Sequence, residues 1–136
     1  MSKPERIIRA ETGLQCELGY EHHIYADRCE THLVMDHRHT NRHGGLHGGI
    51  HAILLDSACG FAASRALSED ASQLVTTVSL TTNYVGLAKD DRVFAVGRVT
   101  KAGRSMVFAE GEVRDGLGTL LATGSSVLKA VRKKPS

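Results

Sequence analysis

Tryptophan is missing from this 136-residue chain, and three Phe and three Tyr are its whole aromatic content, so Val, Leu, Ile and Ala must fill the interior. That composition leans towards β structure. Cysteines are few, odd in number and far apart at Cys16, Cys29 and Cys59. Such spacing suggests neither a disulfide framework nor a zinc site and points to a reducing, cytoplasmic setting. No charge of one sign prevails either: 17 Lys and Arg against 15 Asp and Glu leave +2 with His neutral, and only Arg132, Lys133 and Lys134 cluster. No nucleic-acid partner is expected from so scattered a charge. Residues 1–13 lack the apolar core of a secretory leader. Long hydrophobic runs are absent too, because the most apolar stretch, residues 50–67, is interrupted by His51, Asp56 and Arg65. No membrane span is expected.

What is present suits a folded protein, with 41% apolar and 24% charged residues. The length fits one domain over 1–136, with residues 1–15 an N-terminal segment and 132–136 a basic tail. Over residues 16–36, Tyr20, Ile24 and Tyr25 precede Ala26-Asp27-Arg28, and Cys29, Thr31, Leu33 and Met35 then alternate. This reads as strand, turn, strand. Residues 37–49 hold four His and four Gly with no apolar period, which marks a loop.

From Ile50 to Leu67 the pattern is helical and apolar on nearly every face, so the helix must be buried. Four β-rich segments follow, Leu74–Val85, Val93–Lys101, Met106–Arg114 and Thr119–Val131, joined by turn residues such as Asp115-Gly116-Leu117-Gly118. One helix amid so many strands hides its circumference only if a curved antiparallel sheet wraps it, the α+β hotdog arrangement. The open edges of such a sheet predict pairing of sheets in a homodimer.

The chemistry concentrates in Asn41–Ala58, NRHGGLHGGIHAILLDSA. Gly48 and Gly49 are expected just before the helix, whose first amides lack intrahelical acceptors and favour negative charge. Without Cβ atoms they let a carbonyl approach closely, as an oxyanion hole requires. Asp56 lies within an otherwise apolar helix, where a buried carboxylate is costly without a partner, solvent or a proton. It suits a group that orients or deprotonates water, or that attacks a carbonyl itself. Eight residues at about 1.5 Å each separate Gly48 from Asp56 by roughly 12 Å, too far for one carbonyl to touch both. Antiparallel helices across a dimer interface would place Asp56 of one subunit against Gly48 of the other, making two shared active sites.

Asn41, Gly44, His47-Gly48-Gly49 and Asp56 resemble the signature of the PaaI-like group of hotdog acyl-CoA thioesterases, with similarity from about Gly19 to Val131. The specific core is Asn, His-Gly-Gly six residues on, and an acid nine residues beyond that His. The resemblance implies that Gly48 supplies the oxyanion amide, that Asp56 activates water or attacks, and that Asn41 holds the reacting groups. It also implies a bracing role for His47, substrate contact at Gly49, and a hydroxyl near the acid on the following strand. Thr77 is the match for that hydroxyl and Thr76 the competing register. An acyl-CoA substrate, a dimer-of-dimers homotetramer with coenzyme A between subunits, and no cofactor or metal complete what it implies.

Plainer readings stand beside these. His43, His47 and His51 are four apart, yet two fall in the loop, so helical metal ligation fails. Gly44–Gly49 lacks the Lys-Ser or Lys-Thr ending of a nucleotide-binding P-loop. Cys59 reads as a packed thiol. A hotdog dehydratase would need a His paired with an acid on the helix and a different loop. A binder of acyl-CoA without turnover is the alternative outside enzymology.

Overall fold

The computed structural model describes residues 2–132, so the basic tail lies, beyond Arg132, outside the described residues. Seven strands and two helices follow in the order β1 (Arg6–Ile8), α1 (Gly13–Leu18), β2 (Glu21–Ile24), β3 (Cys29–Val34), α2 (Gly48–Leu67), β4 (Val75–Tyr84), β5 (Arg92–Ala102), β6 (Met106–Asp115) and β7 (Leu120–Ala130). All pairings are antiparallel, in the spatial order β1-β2-β3-β5-β6-β7-β4. This is the hotdog fold, one curved sheet around one long helix.

The strands alternate as a half-buried sheet requires. In β5, Val93, Ala95 and Gly97 are buried, while Phe94 and Val96 between them are only partly so. Helix α2 packs on that inner face and touches β2 through β7. Leu54, Leu55, Ala58, Cys59 and Ala63 are fully enclosed there by Leu33, Val113, Leu121, Leu128 and their neighbours. The closest approach is at Gly97, where a Cβ would stand 2.6 Å from the Ala58 carbonyl carbon and 2.7 Å from the Cys59 nitrogen. Helix and sheet meet backbone to backbone at that point.

Strands β5, β6 and β7 form an antiparallel meander. Strand β4 departs from it by crossing to the far side of β7, where it forms a ten-residue edge. Two further corrections concern the N-terminal third. Residues 1–15 include the short strand β1, paired to β2, and Cys16–Leu18 belong to helix α1 rather than to a strand. Thr12 caps α1 by accepting from Gln15 N, and Gly19 at φ 82° ends it. No helix among the described residues is long and apolar enough to cross a membrane.

Candidate active site

Helix α2 begins two residues earlier than its apolar pattern suggests: Gly48 and Gly49 are its first residues, and His47 is the N-cap. His47 Nδ1 accepts the Gly49 N–H at 2.8 Å, and its backbone N–H donates to His39 O at 2.8 Å. From β4, the Tyr84 hydroxyl donates to Gly48 O at 2.9 Å. The carbonyl of Gly48 and the N–H of Gly49 belong to one peptide unit, so this unit is held from both sides. The Gly49 N–H is therefore not a free donor. The Gly48 N–H, on the preceding peptide, has no acceptor among the described residues. It is the donor left at the positive end of α2.

Asp56 sits in the third turn, half-buried. Thr77 of β4 donates its hydroxyl to Asp56 Oδ1 at 2.7 Å, which decides between Thr77 and Thr76 for the residue against the acid. Asp56 Oδ2 has no protein partner among the described residues. Both Asp56 and Thr77 line a cleft of about 470 Å³ between α2, the N-terminal segment and the start of β4, which also exposes Ile8, Gly60, Phe61 and Val75. The structure thus brings Asp56 and Thr77 together in one concave, largely apolar site. It does not bring Gly48 to Asp56 within one chain, since both ride on the same helix two turns apart.

Asn41 takes a different position. Its side-chain oxygen accepts from His43 N at 2.9 Å and Gly45 N at 3.1 Å, and its N–H donates to Gly45 O. Within the single chain it shapes the loop that delivers His47. His39 anchors the loop's other end, with Nδ1 accepting from Asp36 N and Nε2 bonded to Leu18 O at 2.7 Å. His51 is buried beneath the Tyr84 ring in an edge-on contact at 5.4 Å, and burial lowers its pKa and keeps the imidazole neutral. Cys59 is fully buried with its thiol pushed up to about 12 by desolvation, so it is an inert packing group. The contact of Tyr84 with Gly48 was not foreseen, because it spans 36 positions and no local motif announces it.

Comparison with known proteins agrees with this fold. A model of the thioesterase superfamily matches residues 43–122, the interval holding His47, Gly48, Asp56, Thr77 and Tyr84. A thioesterase family protein from Silicibacter pomeroyi is 30% identical over 91% of this chain and 93% of its own, with a TM-score of 0.81. A Bacillus halodurans protein solved with CoA is 28% identical over 93% of this chain and 83% of its own, with a TM-score of 0.82. A conserved Pseudomonas aeruginosa protein is 29% identical over 88% and 94%, with a TM-score of 0.79. No curated protein matches by sequence.

Proposed function

The chain belongs to the thioesterase superfamily, and from that premise we propose that it hydrolyses acyl-CoA thioesters to a carboxylic acid and free coenzyme A. The observation that carries this reading is the half-buried Asp56, bonded by Thr77 at one oxygen and lining an apolar cleft with the other unpartnered. The CoA in the Bacillus halodurans relative supports the choice of thioester. The Asn41, His47-Gly48-Gly49 and Asp56 spacing supports a PaaI-like reading within that superfamily.

In the proposed reaction Gly48 N–H receives the oxygen of the thioester carbonyl. Asp56 Oδ2 takes a proton from water while the water oxygen adds to the carbonyl carbon. The tetrahedral oxyanion then collapses, the C–S bond breaks, and the coenzyme A thiolate recovers the proton. Direct attack by Oδ2 is the competing route, giving an acyl anhydride that water hydrolyses. Thr77 fixes the rotamer of the acid in either case. Neither route calls for a metal or cofactor, and the free cysteines suit a reducing cytoplasm.

Since Gly48 and Asp56 of one helix cannot serve one carbonyl, the reading requires two subunits. Antiparallel pairing of β4 with its counterpart would supply them. Strand β4 is an open edge, and Val78, Tyr84, Val85 and Leu87 on and beside it are all more than half exposed. Gly48 of the partner subunit then faces Asp56, and a dimer of such dimers gives the expected tetramer.

Two variants test the chemistry. Asp56→Asn removes the base or nucleophile with little change in shape, and should lower kcat by at least about a hundredfold. Gly48→Pro deletes the N–H and adds a ring whose Cβ would meet the Tyr84 ring at 3.4 Å, an ordinary contact distance. Position 48 is the first helical residue, where proline is accepted, and His47 already has the extended conformation (φ −62°, ψ 136°) that precedes proline. Loss of an oxyanion donor predicts a fall of roughly 10² to 10³ in kcat. Thiol release from a panel of aliphatic and aromatic acyl-CoAs is the measurement. Tight binding without turnover by wild type would replace hydrolysis with a binding function.

A further inference from the structure

We propose that Gly60 sets the size of acyl group this chain accepts, an inference that rests on the thioesterase reading above. Asp56, Gly60 and Ser64 follow at i, i+4 and i+8 along α2 and, with Ser57 and Phe61 beside them, form the helical wall of the cleft, opposite Ile8, Leu74 and Val75. Glycine is the least favourable interior helix residue after proline, so its presence at position 60 needs a reason. Packing within the chain does not supply one. A methyl group at Gly60 would come no nearer than 4.0 Å to any neighbour, and that neighbour is Cδ2 of Leu128. At Gly97, in contrast, the backbone of α2 bars any side chain. Nor does backbone conformation supply one, since Gly60 is not among the residues with positive φ.

What glycine provides at position 60 is open space, one helical turn beyond the acid. Ser64, next in the row, holds its hydroxyl to Ala71 O at 2.8 Å and Gln73 O at 2.6 Å, so it forms a fixed far wall. A thioester carbonyl at Asp56 therefore has a path for its hydrocarbon part along the helix, past Gly60, against Ile8, Leu74 and Val75. The cleft of about 470 Å³ is large beside the roughly 150 Å³ that accommodates a benzene ring. Medium-length alkanoyl or arylalkanoyl groups fill such a space, and an acetyl group does not. Any side chain at position 60 would stand in this path.

The test compares wild type, Gly60→Ala and Gly60→Leu on acetyl-, octanoyl- and phenylacetyl-CoA, with thermal melts run in parallel. Wild type should favour the larger acyl groups. The ratio of kcat/KM for octanoyl- over acetyl-CoA should fall modestly in Gly60→Ala and at least about tenfold in Gly60→Leu, with melting temperatures held or raised. An unchanged ratio in both folded variants, or a wild type that prefers acetyl-CoA, overturns the proposal. If wild type hydrolyses none of the three, the thioesterase reading falls on its own. The pocket is then read from binding of the unreactive thioethers octyl-CoA and ethyl-CoA: loss of octyl-CoA selectivity in Gly60→Leu upholds it, and unchanged selectivity overturns it.

Discussion

The two oxygens of Asp56 meet different surroundings: Oδ1 accepts the Thr77 hydroxyl, and Oδ2 has no protein partner among the described residues. Removing the hydroxyl in Thr77→Val frees the carboxylate to rotate, and should cost about tenfold in kcat with little change in KM. Thr77→Ser should restore the rate. Steady-state kinetics on the three proteins checks this. Away from the cleft, His22 is only 4% exposed, bonded to Thr31 Oγ at 3.0 Å and packed on Phe61, and burial pushes its pKa down to about 4. An unfolded histidine titrates near 6.5, so between those values the unfolded chain binds the extra proton. Stability is therefore complete above about pH 6.5 and declines towards pH 4, by on the order of 3 kcal/mol from this residue. Urea unfolding from pH 7 to pH 4 should show that decline, reduced in His22→Gln. None of this was readable from the sequence, where His22 and His23 look alike. Burial separates them.

Elements differ in how openly the sequence declares them. Helix α2 and strands β4 to β7 are long enough for their apolar periods to show, and the observed ends fall within two residues of the expected ones. Strand β1 is only three residues long, too short for any period, and forms because β2 offers it an edge. Helix α1 did leave a signal, in the Thr12 cap, Gln15 three residues on and the stop at Gly19. The neighbouring β-like pattern masked it. The far-edge position of β4 was hidden because nothing local distinguishes a hairpin from a crossover. Around the site, the contact of Asp56 with a hydroxyl on the following strand was legible, with Thr77 as the match, whereas the engagement of Gly49 by His47 was not.

Two element-scale consequences follow. Asp115 ends β6 fully buried and accepts from Lys89 N, Leu117 N and Thr119 N, tying the β6–β7 turn to the β4–β5 connection. These amides, Lys89 foremost, hold its carboxyl below the usual range, so its stabilisation is present above the ordinary aspartate pKa and lost on acidification. Asp115→Ala should lower Tm by roughly 5–10 °C at neutral pH, as read by calorimetry. Gly97→Ala must push α2 off β5, and should cost about 3 kcal/mol in urea unfolding.

At the scale of the whole molecule the composite-site proposal makes an unusual demand on mixtures. Asp56→Asn and Gly48→Pro are each expected to be nearly inactive alone. In a mixed dimer one site receives both substitutions and the other receives neither. Exchanged subunits in equal amounts should therefore recover about a quarter of wild-type turnover. No recovery after verified exchange would overturn the composite site. The seat of α2 on Gly97 bears on this arrangement. Contact there is between main chains, with no side chain as a cushion, so any rocking of the helix must turn about Ala58 and Cys59. Asp56 lies about 3 Å from that fulcrum along the axis and Gly48 about 15 Å from it. The same small tilt moves the amide end roughly five times as far as the acid. A lever so unequal needs its long arm moored, and the hydroxyl of Tyr84 and the imidazole of His47 are where it is tied down.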